Sequence, residues 1–418
     1  MSVVNVFALV SLICIWLLLL VNIMLTIAGY VYYWKTEKED VPELSDEDAP
    51  MISILVPAHN EAVVLQKTLD ALLAFDYPKE KYEIIVVNDN STDNSAQVLE
   101  KIQQDNPERF VTVINTDAKT GGKGKSNALN IAYSRASGDF IVIYDADNTP
   151  ERAALRCLAA EITADDRLGA VIGKFRTINK NASLLTRFIN IETLAFQWMA
   201  QAGRWQLFKL CTIPGTNFII RSHIIEDMGG WDPDAVAEDT EISFRIYMEG
   251  YLIKFQPKAV TWEQEPQTLK VWFRQRTRWV MGNIYVIFKN FPLLFQRAAR
   301  RIKFDILYFL SIYTLLLGSL LCSDVIFLGN AVGVMHPTLA GFSTLLWLLA
   351  IVLFVVSNYI TLTTERGEMN ASNLFLIILM YFSYSLMWMV VAFYGFVMYT
   401  LNKFFKRKTR WYKTERFS

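Results

Sequence analysis

Ile52-Ser53-Ile54-Leu55-Val56-Pro57-Ala58-His59-Asn60-Glu61 sets a β-branched apolar run against an abrupt polar end, and a helix-periodic stretch follows from Ala62 to Ala74. The first five residues predict a strand buried on both faces; the later ones predict a helix. The alternation recurs in Ile84-Ile-Val-Val87 before a helix near Ser95 to Gln104, in Val111 to Ile114 before a helix near Lys125 to Ala136, and in Phe140-Ile-Val-Ile-Tyr144. Such alternation means βαβ units, so the expected fold class is α/β with a mostly parallel sheet. Open sheets of this kind bind ligands outside the carboxyl ends of their strands. The polar residues that end each run are therefore the candidate site: Pro57 to Glu61, Asn88-Asp89-Asn90-Ser91-Thr92-Asp93, and Asp145-Ala146-Asp147.

Asp145 and Asp147, two apart at a strand end, suit a hard divalent cation or the phosphates it binds, although an isolated pair of this spacing also serves turns and helix caps. Gly121-Gly122-Lys123-Gly124-Lys125-Ser126 opens a helix, and glycines, an ammonium and a helix N-terminus together make a pyrophosphate cradle. Its end matches a Walker A sequence, but Lys119 stands where the first glycine is required and no strand leads directly into the loop, which excludes that reading. Glu238-Asp239-Thr240 begins a further helical stretch; its carboxylates fit either first-turn capping or a general base facing a hydroxyl. Gln275-Arg276-Thr277-Arg278-Trp279 combines an amide, two cations and a ring, fitting either a polar site or an interfacial anchor.

Outside this region the chain turns apolar. Of its 418 residues, 53% are hydrophobic, and the mean hydropathy is +0.24, more than soluble domains carry. The 41 basic side chains balance the 41 acidic ones, which leaves no electrostatic footprint for nucleic acid. Four scattered cysteines and three scattered histidines form neither a disulfide framework nor a zinc site by spacing. No charged side chain occurs from Met1 to Trp34, which predicts one transmembrane helix; the missing basic start and the aromatic end argue against a cleaved signal peptide. Ile306 to Val334, Thr338 to Thr363 and Leu374 to Leu401 are three further candidate spans. Asp324 lies within the first of them, and Gly329, Asn330 and Pro337 suggest that it marks the outer end of a shorter helix. Lys35 and Lys38 put the central region in the cytoplasm. Three later spans would then leave the basic tail outside, unless one C-terminal segment is re-entrant or interfacial. The expected organisation is a transmembrane helix over 1–34, an acidic linker over 35–50, a cytoplasmic domain over 51–283, an amphipathic interfacial segment over 284–303, transmembrane helices over 304–402 and a basic tail over 403–418.

Taken in order, Val56 to Glu61, Asn88 to Asp93, Gly124-Lys125-Ser126-Asn127-Ala128-Leu129, Asp145-x-Asp147, Glu238-Asp239 and Gln275-x-x-Arg278-Trp279 resemble the processive, membrane-bound members of glycosyltransferase family 2, such as cellulose, hyaluronan and poly-N-acetylglucosamine synthases. The resemblance covers about residues 50–280 and implies an A-type glycosyltransferase domain, Rossmann-like, flanked by transmembrane helices. It implies that Pro57, Ala58, Asn60, Glu61 and Asp89 hold the uridine, with Lys125 near the nucleotide, and that Asp145 and Asp147 bind the donor diphosphate through Mg²⁺ or Mn²⁺. By the same resemblance Asp239, beside Glu238, is the base, and Gln275 and Arg278 sit by the diphosphate. Trp279 and Gly215-Thr216-Asn217 then face the acceptor sugar. The implied reaction polymerises a UDP-sugar donor onto a growing polysaccharide at the plasma membrane, with accessory secretion or regulatory subunits left open. A single-sugar transferase acting on a lipid is the alternative, and a membrane scaffold that merely binds nucleotide is the reading from another class. Two departures stand out: Asn88 replaces the first acid of the usual Asp-Asp-Gly-Ser, as in poly-N-acetylglucosamine synthase-like members, and Cys211-Thr-Ile-Pro214 replaces the Cys-Gly-Ser of cellulose synthases. The motifs fit UDP-glucose, slightly preferred, as well as UDP-N-acetylglucosamine, and do not choose among 1,3, 1,4 and 1,6 linkages.

Overall fold

The strands run β1 Ile52–Ala58, β2 Tyr82–Asn88, β3 Val111–Asn115, β4 Phe140–Ile143, β5 Thr149–Pro150, β6 Leu168–Thr177, β7 Phe218–Arg221 and β8 Leu252–Glu263, in one sheet ordered β3-β2-β1-β4-β7-β6-β8-β5. They are taken from a computed structural model that describes residues 2–405 apart from Ala298, Arg301, Pro337 and Leu339. The basic run after Phe405 and the side chain of Asp324 lie outside the described residues. β1 pairs in parallel with β2 and β4, and β2 with β3, as the apolar alternation predicts. Opposite Ala58 lies Asn88, so the loops that follow β1 and β2 leave the sheet side by side.

The other half of the sheet is mixed. β7 is antiparallel to β4 and β6, β8 is parallel to β6, and β5 is antiparallel to β8. Asn217 fixes this junction: its Nδ2 donates to the carbonyls of Lys174 (3.1 Å) and Ala259 (3.0 Å), and its Oδ1 accepts from the Tyr144 hydroxyl at 3.0 Å. Sheet residues such as Ile54, Leu55, Val86, Ile141 and Ile219 are fully buried, which is where most of the domain's hydrophobic stabilisation arises.

The helices are α1 Val3–Lys38, α2 Ala62–Leu73, α3 Ser95–Asp105, α4 Lys125–Tyr133, α5 Ala154–Thr163, α6 Leu184–Ala195, α7 Gly203–Phe208, α8 Ser222–Asp227, α9 Glu238–Met248, α10 Leu269–Asn290, α11 Lys303–Leu310, α12 Leu317–Ala331, α13 Ala340–Thr363, α14 Ala371–Phe382 and α15 Tyr384–Phe404. A π-helical turn, Phe196–Ala202, joins α6 to α7, and another, Ser311–Leu316, joins α11 to α12. Among the described residues, three helical stretches, Val3–Lys38, Lys303–Asn330 and Tyr384–Phe404, are long and apolar enough to cross a membrane. α1 is not simply lipid-facing. A Cβ on Gly29 would lie 1.8 Å from the Trp198 carbonyl oxygen, and one on Gly203 would lie 2.3 Å from that of Leu25, so two backbones meet there. Tyr32 then donates to the Phe255 carbonyl at 2.6 Å, locking the end of α1 to β8.

The apolar run expected as one span over Leu374 to Leu401 is two helices broken at Ser383. α15 lies against α10: Trp272 meets Tyr384 and Trp388, Phe273 meets Tyr394, Gly395 abuts Val280, and Phe288 stacks on Tyr399. α10 itself stays with the domain at both ends, through Arg276 to Glu192 and through Lys289 to Asp232 and Glu241. It runs unbroken from the domain into the stretch expected to be interfacial, and a 3₁₀ turn, Phe291–Phe295, follows.

Candidate active site

The loops after β1, β2 and β4 converge with the starts of α4 and α9 and one face of α10 around a cavity of about 400 Å³. Pro57, Ala58, Glu61, Asp89, Lys125, Asp145, Asp147, Gly215, Thr216, Glu238, Asp239, Gln275, Arg278 and Trp279 all line it. Two of the expected residues do not. Asn60 turns its Oδ1 to the backbone amides of Thr92 (2.6 Å) and Asp93 (3.2 Å), clamping the β2 loop onto the β1 loop. Asn217 is consumed by the strand junction described above. Both sit at positive φ, as does Asn90, in the left-handed region that asparagine tolerates better than most residues.

Asp89 has a positioning role. Its Oδ1 accepts from Thr116 Oγ1 and from the Gly122 amide, both at 2.9 Å, so it fixes the glycine-rich loop. A Cβ at Gly121 would fall 2.4 Å from that same oxygen, so this position requires glycine. The loop delivers Lys125 to the first turn of α4, whose N-cap Gly124 supplies no side chain and leaves the helix start open to the cavity. Lys125 Nζ contacts Asp145 Oδ1 at 2.6 Å, the Gly215 carbonyl at 2.7 Å and Glu238 Oε1 at 3.4 Å. Burial opposes its charge, but Asp145 and Glu238, helped by Asp239, outweigh burial and hold its pKa above the ordinary lysine value.

α9 carries three acids in its first turn, and they divide by face. Glu241 points away from the cavity into ion pairs with Arg245 (2.8 Å) and Lys289 (2.7 Å). Glu238 and Asp239 line the cavity. Asp239 Oδ1 accepts from the Thr240 amide at 2.6 Å, while a Cβ on Gly215 would lie 3.0 Å from Oδ2, so Gly215 closes against the carboxylate. Burial, and then the charge of Glu238, push the Asp239 pKa up to about 7, against the opposing pull of Lys125 and Arg278. A carboxylate so poised accepts a proton near neutrality.

The opposite wall was not legible in the sequence. Glu192 of α6 accepts from Arg276 Nη2 at 2.9 Å and from the Tyr384 hydroxyl at 2.7 Å, and Tyr384 in turn accepts from Trp272 Nε1 at 2.9 Å. The Arg276 guanidinium lies 3.8 Å from the centroid of the Trp279 ring, a cation–π contact that holds the ring in place. Phe309 of α11 and Trp388 of α15 complete this side. A lone acid in an apolar helix and a tryptophan in a membrane-like run carry no spacing signal that would have singled them out.

Comparison with known proteins agrees with this geometry. The family model described as "Glycosyltransferase like family 2" matches residues 49–282. A probable glycosyltransferase of Bacillus subtilis, YdaM, is 46% identical over 411 residues, covering 98% of this chain and 97% of that one. The poly-beta-1,6-N-acetyl-D-glucosamine synthase of Staphylococcus aureus is 31% identical over 270 residues, 63% of each chain. Among solved structures, the mannosyltransferase PcManGT of Pyrobaculum calidifontis, in complex with GDP-Man and Mn²⁺, superposes with a TM-score of 0.58 at 22% identity, covering 87% of this chain and 98% of that one, which shows a shared fold. The chain belongs to glycosyltransferase family 2.

Proposed function

We propose that the chain is a processive, inverting glycosyltransferase that polymerises a UDP-activated sugar into a β-linked polysaccharide and passes the product into its own membrane helices. The observation that carries this reading is the makeup of the cavity. One wall holds Asp239, Lys125, Asp145 and Asp147; the other is built by Trp279, Phe309 and Trp388, the last two from the apolar C-terminal helices. Aromatic faces of this kind suit the stacking of successive sugar rings of a growing chain. The name of the staphylococcal relative favours N-acetylglucosamine as the sugar, with glucose the alternative.

In this reading Pro57, Ala58, Glu61 and Asp89 border the uridine, and Lys125, Gln275 and Arg278 surround the diphosphate. Asp145 and Asp147 fit Mg²⁺ or Mn²⁺: both are hard oxygen donors on the cavity wall, and a site with two carboxylates is completed by the donor's own phosphates. Among the described residues no group of three or more His, Cys, Asp or Glu is placed to hold a metal by itself. The cation, when bound, neutralises charge growing on the departing diphosphate. Asp239 takes the proton from an acceptor hydroxyl as that oxygen bonds to the anomeric carbon and the bond to the UDP oxygen breaks, which inverts the centre. Trp279, steadied by Arg276, offers the acceptor sugar a flat apolar face.

The proposed setting is the plasma membrane, with the domain cytoplasmic. α1, α11–α12 and α13 cross the bilayer, while α14 packs against α6 and α13 and α15 lies along α10, so that the chain ends on the domain side. The test offers membranes containing the chain each radiolabelled UDP-sugar with Mg²⁺ or Mn²⁺. A high-molecular-weight product from one donor, absent with Asp239→Asn, is expected. Short lipid-linked products alone would establish the single-sugar transferase instead, and no product from any donor would overturn the transferase reading.

A further inference from the structure

A second recess, about 210 Å³, lies away from the active site where the α13–α14 loop meets the start of α6, and Lys180, Asn181, Arg187, Asn190, Glu368 and Asn370 line it. It is smaller than typical drug-sized pockets and almost wholly polar in its lining, which suits one small charged group. Glu368 is already neutralised: it accepts from Lys180 Nζ at 2.5 Å and from the amides of Asn190 and Asn373 at 3.1 Å each, with Arg176 at 3.8 Å. Arg187 donates from Nη2 to Ser372 Oγ (2.9 Å) and Asn373 Oδ1 (3.0 Å), both neutral acceptors. Around the loop, Lys174, Arg176 and Lys180 pair with two carboxylates, Glu365 and Glu368, whereas the bonds of Arg187 go to neutral acceptors. The positive ends of two helices add to the excess, since the recess sits at the capped starts of α6 and α14. Beside those starts Leu184 is 50% exposed and Phe375 65% exposed, so apolar side chains flank the cationic recess.

We propose that this recess binds the phosphate of an anionic phospholipid headgroup, with Arg187 as the principal contact and Leu184 and Phe375 against the acyl chains. The apolar flank selects a lipid over free phosphate: a soluble anion gains nothing from it, whereas a lipid buries it. The site is separate from the sugar-transfer chemistry and does not depend on which donor the enzyme uses.

The full chain is reconstituted into nanodiscs of phosphatidylcholine with a minority of phosphatidylglycerol, then extracted, and its retained lipid is counted by native mass spectrometry. Wild type retains phosphatidylglycerol above its bulk share. Arg187→Gln loses about fivefold of that enrichment, the usual worth of one cation toward an anionic membrane. Arg187→Lys keeps most of it. Ser372→Ala, which removes a partner of Arg187 but no charge, also keeps it, separating loss of the cation from loosening of α14. Equal retention by wild type and Arg187→Gln overturns the proposal. So does displacement of the lipid by millimolar inorganic phosphate, which would mark a site for free anions.

Discussion

Asp239 carries two opposed demands, and both are measurable. Burial and Glu238 lift its pKa from 3.8 to about 7, so the ligand-free fold favours the protonated acid. That contribution to stability is complete below about pH 4 and is lost as the pH rises through about 7. The proposed base must be ionised to accept a proton, so kcat/KM is expected to rise with pH through about 7 and level above it. Asp239→Asn keeps an oxygen for the Thr240 amide and never ionises. It is expected to abolish polymer formation yet raise the unfolding midpoint of the ligand-free protein at about pH 8 by a few degrees, on the order of 1 kcal/mol after allowance for solvent in the cavity, with no gain at about pH 4. A midpoint that shifts equally at both pH values would show that the carboxylate carries no ionisation strain. Gly215 is the companion residue, since its φ of +94° and the 3.0 Å approach of its would-be Cβ to Asp239 Oδ2 leave no room for a methyl group. Gly215→Ala should lower kcat about tenfold, the effect of a small misplacement of the base, while strain at positive φ costs about 1 kcal/mol of stability. A variant with normal kcat would remove Gly215 from the positioning of the base.

At the scale of elements, the crossing of α1 with the Phe196–Phe208 stretch is the joint that ties this long apolar helix to the domain. Gly29→Ala forces a methyl group onto the Trp198 carbonyl and is expected to cost about 3 kcal/mol, several degrees in the unfolding midpoint of the detergent-solubilised chain. Gly318→Ala in α12 meets nothing within 4 Å and should be neutral or slightly stabilising, because alanine is the better helix former. If the two variants unfold alike, the close approach is not what holds α1. Part of this architecture was legible in the chain. β1 to β4 were readable because a strand buried on both faces is a continuous apolar run, and the site motifs were readable because they end those strands. The crossing was not, since Gly29 and Gly203 lie far apart in sequence and a glycine in an apolar helix announces no partner. The break at Ser383 was also hidden, since no glycine or proline marks it within an apolar stretch. The Asn217 junction was missed for a related reason: its left-handed backbone and its bonds to Lys174 and Ala259 depend on strands whose pairing only the tertiary fold decides.

For the whole molecule, two contacts fix which ends of the long apolar helices lie together. Asn5 Nδ2 donates to Thr338 Oγ1 at 2.7 Å and Asn5 Oδ1 accepts from the Thr338 amide at 3.0 Å, so the start of α1 and the α12–α13 turn share one end. At the other end Glu365 pairs with Lys174 at 2.8 Å and with Arg176, so the chain after α13 returns to the sheet of the catalytic domain. Removing one partner of a buried pair of this kind costs about 3–5 kcal/mol, because the other charge is left buried and uncompensated. α15 then begins at Glu192 through Tyr384 and ends with Lys403 5.6 Å from the centroid of Phe288, a residue of α10, so both of its ends pack on elements that contact the domain, which fits the proposed topology. Single cysteines in a chain whose four native cysteines are replaced test this arrangement with a membrane-impermeant thiol reagent. Val334→Cys, at a position 75% exposed in the turn after α12, should react in intact cells. Arg366→Cys and Phe405→Cys, both at exposed positions, should react only after permeabilisation. Reaction of Phe405→Cys in intact cells would make α15 a fourth crossing and put the basic tail outside. Reaction of Arg366→Cys there would place the catalytic domain outside as well, away from a cytoplasmic donor.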